Sequence, residues 1–325
     1  MNPSEYWINR SRDNLVTSEQ ISNSNIPKLT DIYNIALRNT QDAIDSIYKN
    51  YSKKVGSVNV LDLQQLKAAV GKSDITDFKK AIAEAAKKLN IDINQAYDER
   101  YLQRLNRLQL LKEQIKLEIR SVAPNVNDIL DQNFTNVIKV SYKTQVNDLK
   151  ELNISVGSAN LNKDIVNSIL NSKFTDKSYS GRIWGNTKDL ANVVQKQVGA
   201  ALLSGAPLEK TARLLRDQFD VGISDTTRLV RTETNYYHNQ ADLQSYQDNG
   251  VEKYDFLTDL EPCPECQAVE AGNPYLLSDQ EVSVNAPPIH PNCRCTTVAH
   301  IDDTQSANPN PDTSNSANQN SDAQA

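Results

Sequence analysis

Five residues of the types that bind transition metals lie within one window near the end of the sequence. All four cysteines and one of the three histidines of this 325-residue chain fall there. They form the pair Cys263-Pro-Glu-Cys266 and the group His290-Pro-Asn-Cys293-Arg-Cys295, and residues 267–292 separate the two cysteine pairs. Thiolate and imidazole groups at such short spacings are the ligands that tetrahedral Zn²⁺ prefers. The sequence therefore predicts one structural zinc site, with five candidate ligands for four coordination positions.

Other chemistry is open to the same window. The four thiols can form two disulfides or remain free, although clustered cysteines in a cytoplasmic protein favour metal binding. A catalytic zinc needs an open coordination position and a general base, for which Glu265 and Asp259 are the nearby carboxylates. A nuclease of the HNH kind needs further histidines and an asparagine, and only His290 and His300 lie nearby. We therefore expect a structural centre and no enzymatic activity.

A second group of polar side chains lies upstream of the cysteines, in a segment with helical spacing. Helical geometry places Arg231, Asn235 and His238 on one polar face. Such residues commonly form ion pairs and hydrogen bonds between a helix and a neighbouring sheet, so we interpret them as a structural polar cluster. The members of this cluster are Arg228, Arg231, Glu233, His238 and Asp259.

The cysteine window is expected to lie in a small α+β module over residues 250–300. Tyr254 and Phe256 alternate with Lys253 and Asp255, and Thr258 continues the same spacing, which is typical of a half-buried strand. Two further short strands are predicted around 282–284 and 296–298. The metal ligands then lie at the open end of a small antiparallel sheet.

Several helices are expected to position this module. The helix before it is predicted to begin at Ser224 or Asp225 and to end at Asn249-Gly250. Two more helices are predicted upstream, separated by the sequence Ser204-Gly-Ala-Pro207, and a turn-rich segment at 180–186 precedes them. The predicted bounds of the three helices are 187–203, 207–219 and 226–249.

Residues 1–154 are expected to form a helical N-terminal arm or bundle. Apolar stripes at helical spacing predict helices over 4–24, 29–55, 61–70, 74–89, 92–122 and 126–150. Bases outnumber acids in the longest predicted helix, 92–122, so contact with DNA or an acidic partner is possible there. A solvated face with local ion pairs is the simpler interpretation. The bases in question are Arg100, Arg104, Arg107, Lys112, Lys116 and Arg120.

Composition limits the class of protein. The formal net charge is −6. Four aspartates within residues 301–325 supply the negative charge of that segment. This balance disfavours a chain whose whole surface coats nucleic acid. Neither a membrane span nor a signal peptide is evident, so a cytoplasmic protein is expected. Residues 301–325 are polar and are predicted to be a disordered tail.

The order of these motifs resembles one known family. Arg228-x-x-Arg231-Thr-Glu233 precedes the predicted strand, Asp259-x₃-Cys263-x₂-Cys266 follows it, and Pro287-Pro-x-His290-Pro-x-Cys293-Arg-Cys295 completes the series. This series is similar to the head-morphogenesis domain of tailed bacteriophages, the minor head proteins of the Mu F type. The resemblance covers roughly residues 155–300, so the chain divides into an arm (1–154), this domain (155–300, with the Cys/His module at 250–300) and the tail (301–325).

The resemblance implies a structural minor head protein that acts in procapsid assembly and in DNA packaging or ejection. Its implied partners are the portal protein, with the major capsid or scaffolding protein and DNA as further candidates, and no membrane. Its implied locations are the host cytoplasm during assembly and then the virion, in the head interior or at the portal vertex. The alternative is a DNA-binding protein or an HNH-like nuclease that contains zinc. The expected fold is mainly α, with a small α+β module that carries a zinc-knuckle-like Cys/His site.

Overall fold

The computed structural model describes residues 3–300 except 56–57, 153, 155 and 158–160. The predicted disordered tail lies outside these residues. Within them the fold is mainly α-helical, with a small sheet near the C-terminal end, and this confirms the predicted fold class. None of the described helices combines the length and the hydropathy that crossing a bilayer requires.

The N-terminal half contains nine helices and one hairpin among the described residues. In chain order they are α1 (Pro3–Asn23), α2 (Ile26–Tyr51), β1 (Ser52–Val55), β2 (Val58–Leu61), α3 (Leu63–Lys67), α4 (Lys72–Ala81), α5 (Ala83–Lys88), α6 (Ile93–Ala96), α7 (Glu99–Leu102), α8 (Arg107–Arg120) and α9 (Val122–Glu151). The antiparallel pair β1–β2 takes the place of the last turn of the helix predicted over 29–55.

The prediction of a single long helix over 92–122 is wrong. The side chains of Asp92, Asp98 and Asn106 each accept hydrogen bonds from backbone N–H groups that follow them, and the caps at Asp98 and Asn106 divide the segment. Such caps satisfy the free N–H groups of a helix start and so favour a new helix at each position. Pro124 does not end a helix either. It lies in the first turn of α9, where its missing N–H has no intrahelical partner to lose.

The C-terminal half contains the remaining four helices of the described chain and a three-stranded sheet. In order they are α10 (Lys163–Asn171), α11 (Tyr179–Leu203), α12 (Leu208–Asp248), β3 (Lys253–Leu257), α13 (Pro264–Glu270), β4 (Tyr275–Leu276), a 3₁₀ turn (Leu277–Asp279) and β5 (Thr296–Ala299). The segment 180–186, predicted to be turn-rich, is instead helical, because Ser178 caps α11 through the N–H of Gly181.

Helix α12 is continuous over 41 residues, so the predicted break between 219 and 226 is wrong. Packing against two other helices explains the continuity. A Cβ atom on Gly222 would lie 2.9 Å from Leu190 Cδ2 and 3.1 Å from Tyr33 Cε1, so a larger residue would require these side chains to shift. The hydroxyls of Tyr33 and Thr226 hydrogen-bond at 2.7 Å. The segment that was predicted to separate two helices therefore lies within one helix and packs closely against its neighbours.

The largest hydrophobic core joins the two halves of the chain. It includes buried residues of α2, α8 and α9 together with residues of α10, α11 and α12. Phe134 lies at its centre, with ring centroids 5.1 Å from Tyr179 and 4.9 Å from Tyr237. A separate, smaller core lies among α4–α8 and contains Phe78, Ile82 and Leu102 among others.

The small sheet has the strand order β4-β3-β5, and both pairings are antiparallel. Strands predicted near 254–258 and 296–298 are thus confirmed as β3 and β5. The strand predicted at 282–284 is wrong, since that segment has only an isolated bridge between Val282 and Ala286. All four residues of β5 are buried, because α1 and α12 both pack on this strand.

Candidate metal centre

The first two cysteines lie at the start of α13. Cys263 is the N-cap residue, and its Sγ accepts a hydrogen bond from the N–H of Cys266 at 3.4 Å. Pro264 occupies the first helical turn, where its fixed φ favours helix initiation. The helical turn thus brings both sulfurs to one side, and the Nε2 atom of His290 lies 3.3 Å from each of them.

The second pair of cysteines follows a tight turn. The N–H of Cys293 donates to the carbonyl of His290 at 3.1 Å, and Asn292 adopts a φ of 60°, a left-handed conformation that asparagine tolerates. This turn directs Cys293 inward, and its Sγ lies 3.9 Å from that of Cys266. Cys293 and Cys295 are both only 2% exposed.

The donor set fits a soft tetrahedral ion. All four cysteines are free thiols. A Zn–S bond of about 2.3 Å implies a sulfur–sulfur separation of roughly 3.8 Å in a tetrahedron, close to the distance between Cys266 and Cys293. The ligand atoms form two groups within 4.8 Å, one of Cys263, Cys266 and His290 and one of Cys266, Cys293 and Cys295. These groups share only Cys266, so binding an ion requires them to approach each other.

The thiols of the cluster divide into two that have a lowered pKa and two that have a raised pKa. A hydrogen bond from Cys295 lowers the pKa of Cys293 to about 6, and the same contact raises the pKa of Cys295. The N–H of Cys266 lowers the pKa of Cys263. Burial raises the pKa of Cys266 to about 12. A metal ion that binds here must therefore displace protons from the buried thiols, which makes its affinity pH-dependent.

Helix α12 holds the backbone of the second cysteine pair. The side-chain amides of Asn235 and Asn239 donate to the carbonyl of Cys295 at 2.8 and 3.3 Å. The hydroxyl of Thr232 accepts from the N–H of Asn292 at 3.0 Å. Asn235 lies on the polar face that the sequence predicts, whereas Thr232 and Asn239 were not among the predicted site residues. Their spacing, at 232, 235 and 239, places all three on one helix face and was a usable signal.

Arg294, which lies between the last two cysteines, connects the centre to α1 through an ion pair. Its guanidinium bonds both carboxylate oxygens of Glu19 in α1 at 2.8 and 2.9 Å. It also lies 3.6 Å from a carboxylate oxygen of Asp259. The structure thus places Asp259 beside the cysteines and not beside the other members of the predicted polar cluster. The contact between Glu19 and Arg294 has no signal in the sequence.

The remaining members of that cluster lie in different surroundings. Arg228 is exposed and pairs with Asp225 at 2.8 Å, and Arg231 is exposed as well. Glu233 is buried and forms an ion pair with Arg182 of α11, a residue that the sequence analysis did not single out. Burial raises the pKa of Glu233 to about 7.

His238 lies at a buried junction of α1, α9, α12 and β5. Its Nδ1 is 2.8 Å from the hydroxyl of Ser141 and 3.1 Å from that of Ser18, and its Nε2 is 3.3 Å from the hydroxyl of Thr296. Nε2 also lies 3.3 Å from a carboxylate oxygen of Asp242. Complete burial lowers the pKa of His238 to about 3. The ring is therefore neutral and joins the four elements through hydrogen bonds.

The basic residues predicted for a DNA or acidic-partner contact are distributed over α7, α8 and the segment between them. Arg107 is ion-paired with Asp74 at 3.1 Å and lies over the ring of Tyr51. Lys116 pairs with Glu113 within α8 at 3.3 Å. Arg100 and Arg104 are exposed, while Lys112 and Arg120 are half-buried. The structure thus does not assemble the six bases on one helix face.

Part of the chain matches a known protein family. The family model described as phage Mu protein F like protein matches residues 192–298, from the middle of α11 to β5. No curated protein and no solved structure matches the chain. The matched segment contains all five candidate ligands. It also contains the whole of α12, which forms hydrogen bonds with the Cys/His centre. Over residues 192–298 this chain is therefore similar to the Mu F-type family of phage head-morphogenesis proteins.

Proposed function

We propose that this chain is a structural minor head protein of a tailed phage or prophage. In this proposal it associates with the portal protein and the head interior and acts in procapsid assembly and in DNA packaging or ejection. The family-model match over residues 192–298 is the observation that carries the proposal. The major capsid or scaffolding protein and DNA are further proposed contacts, and the host cytoplasm followed by the virion are the proposed locations.

The histidines support a structural interpretation over a nuclease. His290 contacts two cysteine sulfurs, His238 is completely buried, and His300 lies 2.8 Å from the carboxylate of Asp255. Each of the three histidines therefore already has partners within the part of the chain that the structure describes. A nuclease of the HNH kind needs further histidines for its catalytic metal, so these contacts favour the structural interpretation.

We further propose that Zn²⁺ binds Cys263, Cys266, His290 and Cys293. The support is geometric, because His290 Nε2 lies 3.3 Å from the first two sulfurs and Cys293 Sγ lies 3.9 Å from Cys266 Sγ. Cys295 is left out of this proposed set, although its sulfur lies in one group with those of Cys266 and Cys293. The ion would supply a cross-link between α13 and the turn before β5.

These contacts suggest what the centre does for the fold. The chain between the two cysteine pairs is 26 residues long, and of its described elements only β4 pairs with the sheet. Fixing both ends of this segment, on α13 and on α12, reduces the conformations open to it. The proposed role of the centre is thus to keep one fixed surface on the head-morphogenesis domain.

Association with the head is tested by expressing the chain together with the portal, major capsid and scaffolding proteins of the same virus. The proposal predicts that the chain copurifies with the portal oligomer and persists in mature particles. A chain that is absent from both portal oligomers and particles would contradict the structural assignment. DNA cleavage in the presence of divalent metal, lost in a His290→Ala variant, would instead support the nuclease alternative.

A further inference from the structure

We propose that residues 259–262 form a docking loop and that Leu260 is its anchor. The partner surface that fits this loop is an apolar pocket bordered by lysine or arginine side chains on another head protein. This inference rests on the head function proposed above, because it names the surface through which the domain binds its partner. It goes beyond that function by assigning the contact to particular side chains.

Leu260 is unusual in its exposure. Its side chain is 81% exposed, whereas the next most exposed large apolar residues of the described chain, Val284 and Val221, reach 55% and 54%. A single exposed leucine needs no explanation by itself. The structure around Leu260 is what distinguishes it, since the loop that carries it is held on both sides.

Contacts on the N-terminal side fix where the loop begins. The carboxylate of Glu270 accepts hydrogen bonds from the N–H and the hydroxyl of Thr258 at 3.0 and 2.9 Å. The next residue, Asp259, accepts from the N–H of Leu260 at 2.9 Å and lies beside Arg294. The backbone of Leu260 is thus held by its own neighbours while its side chain faces solvent.

Contacts on the C-terminal side fix where the loop ends. The side-chain amide of Gln267 donates to the carbonyl of Pro262 at 3.0 Å, and Cys263 then caps α13. A loop fixed at both ends loses little conformational entropy when it binds, and such preorganisation favours affinity. Apolar side chains that enter a partner pocket commonly supply most of the binding energy of an interface.

The charges around Leu260 indicate the kind of partner. Glu261 and Glu265 are exposed, and neither has an ion-pair partner among the residues that the structure describes. Asp259, in contrast, already lies 3.6 Å from Arg294. Two unpaired carboxylates beside an exposed leucine are complementary to a pocket with a basic border. A strongly acidic surface, including DNA, is therefore disfavoured as the partner of this loop.

Procapsids assembled from this chain and the portal, major capsid and scaffolding proteins of the same virus provide the test. The measured quantity is the amount of this chain in purified particles, for the wild type and for Leu260→Ser, Leu260→Ile and Glu261→Lys/Glu265→Lys variants. Val284→Ser is the matched control, because it removes another exposed apolar side chain from the same domain. Unfolding midpoints of all variants are measured in parallel.

The proposal predicts at least about a tenfold loss of incorporation for Leu260→Ser, near-normal incorporation for Leu260→Ile and Val284→Ser, and a salt-dependent loss for the double charge reversal. Normal incorporation of Leu260→Ser would overturn the docking loop while leaving the head function in place. Absence of the wild-type chain from particles would overturn both. Normal incorporation of the charge-reversal variant would contradict the proposal that basic side chains border the partner's pocket.

Discussion

The side-chain amide of Asn235 lies 2.8 Å from the carbonyl oxygen of Cys295, so the long helix α12 holds the second cysteine pair directly. Asn239 donates to the same oxygen at 3.3 Å. Both asparagines are at least 98% buried. The Cys/His centre is therefore not an appendage of the helical body, because its ligand turn is hydrogen-bonded into the protein interior.

This contact predicts a loss of stability when Asn235 is replaced by alanine. Removing a buried donor leaves the acceptor with a poorer partner, which costs about 1–3 kcal/mol in the free energy of unfolding. Urea denaturation of the zinc-loaded protein measures the effect. Asn167→Ala is the control, since Asn167 is exposed on α10. Equal stabilities for the two variants would show that the α12 contact is unimportant.

The ligand assignment predicts different outcomes for the two neighbouring cysteines. Cys293→Ser should lose bound zinc, because it removes a proposed ligand. Cys295→Ser should keep about one zinc per chain, because that sulfur lies outside the proposed set. Zinc content measured by atomic emission distinguishes the two variants. The reverse result, with zinc retained only by Cys293→Ser, would assign the fourth ligand to Cys295.

The buried ion pair predicts a pH dependence of stability. Burial raises the pKa of Glu233 to about 7 in the folded protein, above the value near 4.3 that is usual for the unfolded chain. Between these values the folded state binds more protons, so this residue lowers stability as pH rises from about 4.3 to 7. Its contribution is favourable below that window.

Glu233→Gln removes this titration and keeps a polar partner for Arg182. Across pH 5–7 the free energy of unfolding of the wild type should fall relative to that of the variant, by at most about 1.4 kcal/mol per pH unit. Parallel denaturant curves at several pH values measure the difference. A constant difference over this range would mean that Glu233 is already ionised in the folded protein.

Replacing either of two helical glycines by alanine should change the stability of the protein, in opposite directions at the two positions. Gly222→Ala places a methyl group 2.9 Å from Leu190 Cδ2, so the variant should be destabilised by about 1–3 kcal/mol through overpacking. Gly185→Ala, in α11, meets no atom within 4 Å and should be stabilised by about 0.5–1 kcal/mol through helix propensity. Thermal unfolding of both variants checks the signs. Stabilisation by Gly222→Ala would contradict the close helix packing.

Local signals were sufficient to predict part of this fold from the sequence. The cysteine spacing predicted a compact ligand cluster, because each pair is joined by a short turn whose geometry depends on few residues. The alternation around Tyr254 predicted β3 for a similar reason. Segments with apolar stripes were also predicted correctly as helical. The N-caps at Asp98 and Asn106, however, divide one of the predicted helices into shorter ones.

Long-range contacts were not predictable in the same way. Residues 220–225 were predicted to separate two helices, whereas Gly222 lies inside one continuous helix that packs closely against Leu190 and Tyr33. The ion pair between Glu19 and Arg294 joins residues 275 positions apart, and nothing in either local sequence indicates the other. The alternation near Val282 imitates a strand, yet the pairing of that segment is an isolated bridge between Val282 and Ala286.

The most direct test of the proposed metal centre is the zinc content of the full-length protein, purified under reducing conditions without added chelator. The account predicts close to one Zn²⁺ per chain, together with a loss of thermal stability when a strong chelator removes it. A zinc content well below one per chain, with four titratable thiols and unchanged stability in chelator, would contradict the claim that a metal ion holds the Cys/His centre together.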